Sequence, residues 1–160
     1  MRKSIFIISG VILMLLSNCN AQNKDTNPGT KTDAKVASNT GTGGAIHINT
    51  AFFKEKVFNY EANKEWKFEG DKPCIVDFYA DWCPPCRRLS PVMEEIAKEY
   101  AGKINVYKVN ADEEKQLVAT LGINSLPTLL FCPTKGQPQA AMGALPKEEL
   151  KKAIDQVLMK

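Results

Sequence analysis

Cys74-Ile75-Val76-Asp77-Phe78-Tyr79-Ala80-Asp81-Trp82-Cys83-Pro84-Pro85-Cys86 joins an apolar run to a turn holding two cysteines, and its reading decides the fold. From Cys74 to Ala80 apolar residues occupy both alternating faces apart from Asp77, as in a strand buried from both sides. From Cys83 to about Tyr100 the residues Leu89, Val92, Met93, Ile96 and Ala97 recur at helical spacing. A buried strand feeding a helix needs cover on both of its faces, which is an α/β architecture.

Working outward, Ile46-His47-Ile48 predicts a short strand, and Thr50 is placed to cap a helix carrying Phe52, Phe53, Val57 and Phe58 inward. Ile104 to Val109 reads as a strand, Asp112 to Leu121 as a short helix and Thr128 to Cys132 as a strand. A turn at Gly136-Gln137-Pro138 leads to an edge strand over Gln139 to Met142. The chain closes with a helix over Lys147 to Met159, with Pro146 in its first turn. The last two strands are joined by a short turn and should run antiparallel, so a mixed central sheet between helical layers is expected over residues 45–160.

The residues before this unit have a different composition. Arg2 and Lys3 precede an apolar stretch from Ile5 to Leu16, a signal-peptide pattern that predicts a leader over 1–21. That stretch is shorter than the ~20 residues a spanning helix needs. Two processing outcomes are open. Leu16-Ser17-Asn18-Cys19 resembles a bacterial lipoprotein signal, with Asn18 where a small residue is usual, which would tether the protein to a membrane through Cys19. Cleavage after Ala21 would release it instead. Residues 22–44 are rich in Asn, Lys, Asp, Thr, Ser and Gly and read as a flexible linker. The net charge of +3 falls to +1 without Arg2 and Lys3, which argues against a nucleic-acid partner. Gly41-Thr42-Gly43-Gly44 lacks the lysine of a phosphate-binding loop.

Cys83 and Cys86 stand three apart at a helix start, close enough to alternate between a disulfide and two thiols. The unpaired amides and dipole of that helix end favour thiolate on Cys83, at the tip. A thiol of pKa about 8.5 needs about 2 kcal/mol of preferential stabilisation to fall by about 1.5 units, which is within reach there. Cys86, one turn deeper, is the resolving thiol. Asp77 is costly in a buried strand unless a partner or a role compensates. It could take the Cys86 proton, with Lys108 on the neighbouring strand as its opposite charge; the alternative is a purely structural Asp77–Lys108 pair. Leu126-Pro127 precedes a strand, where a cis bond could turn the Leu126 backbone toward an extended substrate, or Pro127 could simply start the strand.

Taken with Lys108-Val109-Asn110, Ser125-Leu126-Pro127-Thr128 and Gly143-Ala144-Leu145, the Val76 to Cys86 segment resembles the thioredoxin family, from Ile46 to the C-terminus. The resemblance implies a thioredoxin-like three-layer α/β fold with a mixed central sheet and a protein-disulfide oxidoreductase. It also implies Cys83 as nucleophile, Cys86 as resolving thiol, Asp77 as buried acid and Lys108 as its neighbour. Trp82, Leu126, Pro127 and Gly143 would line the substrate groove, with Pro127 cis. Pro84 departs from the glycine usual in cytosolic members and leaves the direction of electron flow open. With the family's strand pairing, Cys74 and Cys132 would lie near one sheet end, either as a second disulfide or, the favoured expectation, as two buried thiols.

An exported member implies a bacterial periplasm or cell-envelope location, disulfide-containing exported proteins as substrates and a membrane thiol carrier as electron donor. No cofactor is expected on the chain, neither flavin nor nicotinamide. Zinc would need Cys83 and Cys86 together with the scattered Cys74, Cys132 or His47, so no metal is expected. The competing readings are an envelope disulfide oxidase or isomerase, and a noncatalytic peptide-binding module.

Overall fold

The computed structural model describes residues 43–160. The expected leader over 1–21, and all but the last two residues of the linker expected over 22–44, lie outside the described residues. The elements are β1 (Ile46–His47), α1 (Thr50–Lys56), β2 (Cys74–Tyr79), α2 (Pro84–Glu99), β3 (Asn105–Asn110), α3 (Lys115–Thr120), β4 (Thr128–Cys132), β5 (Gln139–Met142) and α4 (Lys147–Val157). Five strands form one sheet in the order β1-β3-β2-β4-β5. β3 runs parallel to β1 and β2, and β4 runs antiparallel to β2 and β5. This is the mixed thioredoxin-like sheet that the sequence predicts.

Alternation along β2 builds a core on each face of the sheet. Ile75 turns to one side and packs with Leu89, Met93 and Ile96 of α2 and Leu150 and Ile154 of α4. Cys74, Val76 and Phe78 turn to the other and pack with Phe53, Val57 and Leu117. Each large side chain buried this way contributes roughly 1.5–3 kcal/mol. Asp77 and Lys108 are register partners, and both are buried within this apolar frame.

Three local expectations need correction. Asn49, not Thr50, caps α1: its Oδ1 accepts the Phe52 amide at 2.9 Å. Thr50 is instead the first helical residue, and both its amide and its hydroxyl donate to Glu114 Oε2. α3 starts at Lys115 because Asn110 Oδ1 accepts the Asp112 amide at 3.0 Å and holds the preceding residues in a turn. Pro146 is the N-cap of α4, with extended backbone, rather than a residue of its first turn.

The ladder also explains the second cysteine pair. Pro73 O accepts from Asn105 N and Tyr79 O from Ala111 N, so odd-numbered residues along β2 turn their backbone groups toward β3 and even-numbered ones toward β4. Pro127 O accepts from Gly143 N, so even-numbered residues of β4 face β2. Cys74 and Cys132 are therefore opposite each other on a hydrogen-bonded rung. Cβ atoms on such rungs stand near 5.5 Å apart, beyond the roughly 3.5–4.5 Å a disulfide spans. Both are free thiols and fully buried, and burial together with the facing Cys74 pushes the Cys132 thiol pKa up.

Candidate active site

β2 and β3 end side by side, and the chain leaves β2 through Ala80-Asp81-Trp82 into α2 at that carboxyl end of the sheet. Cys83 N donates to Ala80 O at 3.2 Å and closes the turn. Cys83 is the N-cap of α2, and Pro84 and Pro85 fill the next two positions. Neither proline has an N–H, so the first amide that the helix can aim at the cap is that of Cys86. It donates to Cys83 Sγ at 3.3 Å. The sulfurs are joined as a disulfide at 2.08 Å.

Cys83 is not the open tip that the sequence suggested: it is 3% exposed, against 2% for Cys86. Trp82, Pro84 and Leu126 crowd it, and its access is a groove of about 430 Å³ lined also by Ile123 and Ser125. Trp82 stands 66% exposed at the rim, its Nε1 donating to Asp112 Oδ2 at 2.8 Å. Arg87 Nη1 donates to Asp81 O at 3.1 Å and secures the turn behind it.

The opposite wall comes from the segment before β4. The Leu126–Pro127 peptide is cis, Leu126 packs against Cys83, Cys86 and Ala80, and Thr128 Oγ1 donates to Ser125 O at 2.7 Å. Gly143 donates its amide to Pro127 O at 2.8 Å, and its φ of +89° is one that a side chain would strain. The expected groove residues Trp82, Leu126, Pro127 and Gly143 are thus gathered at one end of the sheet. Trp82 and Leu126 line the cavity itself, while Pro127 and Gly143 brace the wall behind them.

Asp77 lies on the α2 side of β2, and among the described residues neither of its carboxylate oxygens has a hydrogen-bond partner. Burial raises its pKa from 3.8 to about 6, and the charge of Lys108 opposes the rise. The alternative reading of Asp77 and Lys108 as a closed structural ion pair is not met: the Lys108 ammonium is engaged elsewhere. Its Nζ donates to Ser90 Oγ of α2 at 2.7 Å and lies 4.9 Å from the centre of the Tyr79 ring. Tyr79 in turn shares a 3.1 Å hydrogen bond with His47 Nδ1. Burial pushes the Tyr79 hydroxyl up to about 12, and burial followed by Lys108 lowers His47.

Sequence reading missed Ser90, Tyr79, Asp112 and the Ile123 to Ser125 wall. Ser90 could have been found, since it shares a helix face with Cys86 one turn away. Asp112 lies two residues past the end of β3, in a loop at the carboxyl end of the sheet, and such loops often carry binding residues. Ile123 has no pattern of its own, and only the fold brings it to the cysteines. Among the described residues no cluster of His, Cys, Asp and Glu is arranged to hold a metal ion.

The thioredoxin family profile matches residues 48–156. Thioredoxin of Borreliella burgdorferi is 44% identical over 110 residues, covering 69% of this chain and 94% of that protein. Thioredoxin 1 of Nostoc sp. is 42% identical over 114 residues, covering 71% of this chain and 97% of the relative. A crystal structure of chloroplastic thioredoxin z superposes with a TM-score of 0.61 at 27% identity, covering 71% of this chain and 94% of that one.

Proposed function

The chain belongs to the thioredoxin family of protein-disulfide oxidoreductases, and on that premise we propose that it reduces the disulfides of exported proteins through a Cys83–Cys86 dithiol/disulfide cycle. The observation that carries the chemistry is the Cys83–Cys86 bond at the start of α2, opening on an apolar groove. Reduced Cys83 lies where the Cys86 amide and the helix dipole favour thiolate. Its sulfur attacks one sulfur of the substrate disulfide, forming a mixed disulfide and releasing the other as thiolate, which solvent protonates. Asp77 accepts the Cys86 proton. Cys86 then attacks Cys83 Sγ, breaking the mixed disulfide and expelling the second substrate sulfur as a thiolate, which solvent protonates, and leaving the protein oxidised by two electrons.

The arrangement supports a base role for Asp77. Ser90 sits one turn beyond Cys86 on α2 and bonds Lys108, the register partner of Asp77, so the carboxylate lies under the helix segment that carries Cys86. Trp82 and Leu126 offer apolar contact to the substrate, and the Pro127–Gly143 pairing fixes the wall beside it.

Export is supported by the leader pattern over 1–21 and the polar 22–44 tether, which would place the 45–160 domain in the periplasm or cell envelope. Electrons would return from a membrane thiol donor. Cys86→Ser protein expressed with its own leader should collect mixed disulfides through Cys83 with disulfide-containing envelope proteins. An absence of such adducts, with the protein recovered from the cytoplasm, refutes the exported-substrate reading. A potential near about −120 mV together with no insulin reduction would point to the oxidase instead. Loss of palmitate labelling in Cys19→Ala would identify a lipid tether.

A further inference from the structure

We propose that Ser90 is a positioning residue that holds the Lys108 ammonium off the Asp77 carboxylate, keeping Asp77 free to exchange a proton with Cys86. The inference rests on the reading of Asp77 as the base for Cys86. Three ionisable side chains form a row across adjacent parallel strands: His47 of β1 is the register partner of Lys108 of β3, which is the register partner of Asp77 of β2. Neighbouring strands stand about 4.8 Å apart, so a lysine arm can easily reach a carboxylate in the next strand. A buried charge left unpaired is costly, which favours closing that contact.

It does not close. Lys108 is 6% exposed and Asp77 is fully buried, yet both Asp77 oxygens are without a hydrogen-bond partner among the described residues. The ammonium is held by the 2.7 Å bond to Ser90 Oγ and lies 4.9 Å from the centre of the Tyr79 ring, whose hydroxyl shares a hydrogen bond with His47. Ser90 and Cys86 share one face of α2, so one helix carries the thiol to be deprotonated and the hydroxyl that restrains the competing charge.

The consequence is chemical. A carboxylate locked onto an ammonium is a weak base, whereas a buried one with the cation held back keeps a strong affinity for protons. The surroundings leave Lys108 as the principal lever. Asp77 and Tyr79 face it from β2, His47 from β1 and Ser90 from α2, and β4 presents apolar Leu129 opposite Asp77. Glu94 of α2, Asp81 after β2 and Glu113 before α3 act on this row through His47.

The test compares wild type, Ser90→Ala and Ser90→Thr, which keeps the hydroxyl. The Asp77 carboxyl is titrated in the oxidised proteins by carbon NMR, and the pH profile of mixed-disulfide resolution is recorded from single turnovers. Ser90→Ala should lower the Asp77 titration midpoint by about one unit as Lys108 closes on it, and slow resolution; Ser90→Thr should restore both. An Asp77 midpoint in Ser90→Ala that is unchanged or raised overturns the proposal. Asp77→Asn separates the two ideas. If it resolves mixed disulfides as fast as wild type, the base reading fails, while the titration still decides whether Ser90 controls the Lys108 position.

Discussion

Replacing Asp77 by asparagine should stabilise the protein at neutral pH while impairing its turnover. The carboxyl is fully buried, its oxygens have no hydrogen-bond partner among the described residues, and its pKa rises from 3.8 to about 6 because burial outweighs the attraction of Lys108. In the unfolded chain it titrates near its ordinary value. Between about pH 4 and 6 the folded state therefore binds more protons, so stability falls as pH rises through that window. Below the unfolded value both states are protonated and nothing is lost; above the folded value the loss is complete. A shift of about two units corresponds to about 3 kcal/mol at pH 7.5 and only about 0.5 kcal/mol at pH 4. Asparagine keeps the planar shape and carries no charge, so it should recover most of that difference. Urea unfolding of the oxidised proteins reads it directly, as a midpoint raised by about 2 M at pH 7.5 and nearly unchanged at pH 4. Disulfide reduction should slow by about tenfold or more, as expected when a positioned base is lost. A variant no more stable than wild type at pH 7.5, or a stability gap that ignores pH, would refute the reasoning.

Two further outcomes follow from the geometry. Alkylation of the oxidised protein after denaturation without reductant should modify Cys74 and Cys132 and leave Cys83 and Cys86 unmodified, because the ladder holds the first two apart; recovery of a Cys74–Cys132 disulfide in mapped peptides would contradict the rung assignment. Trp82→Ala should raise KM for a disulfide-containing peptide about tenfold with little change in kcat, by loss of an aromatic contact, while unfolding shifts by about 1 kcal/mol or less since Trp82 is 66% exposed; an unchanged KM would remove Trp82 from the binding surface.

The β2 to α2 segment was legible because its physics is local. A strand buried on both faces must be apolar, and Asp77 is the single charged exception in β2. The cysteine spacing and the two prolines place the redox pair at the first turn of the helix without any tertiary knowledge. Less legible was what depends on neighbours far along the chain. Asn49 holds the cap by accepting the Phe52 amide, while Thr50, one residue later, is already helical and donates to Glu114, which only the fold brings near. The diversion of Lys108 from Asp77 to Ser90 could not be read from either strand, since the competing acceptor lies on the covering helix. The burial of Cys83 has the same origin: Leu126, much later in the chain in the segment before β4, packs against the cluster that holds it. Cys74 and Cys132 were rightly placed near one another, but only the hydrogen-bond direction along β2 and β4 shows why they stay thiols.

The central claim is that two electrons leave the Cys83–Cys86 pair for an external disulfide. The fully reduced protein is incubated anaerobically with excess insulin, quenched with acid and alkylated, and thiols are counted on both partners by mass. The account predicts two thiols lost from each oxidised molecule, mapped to Cys83 and Cys86, and two gained on insulin. No transfer of thiols, or a new disulfide that includes Cys74 or Cys132, would contradict it.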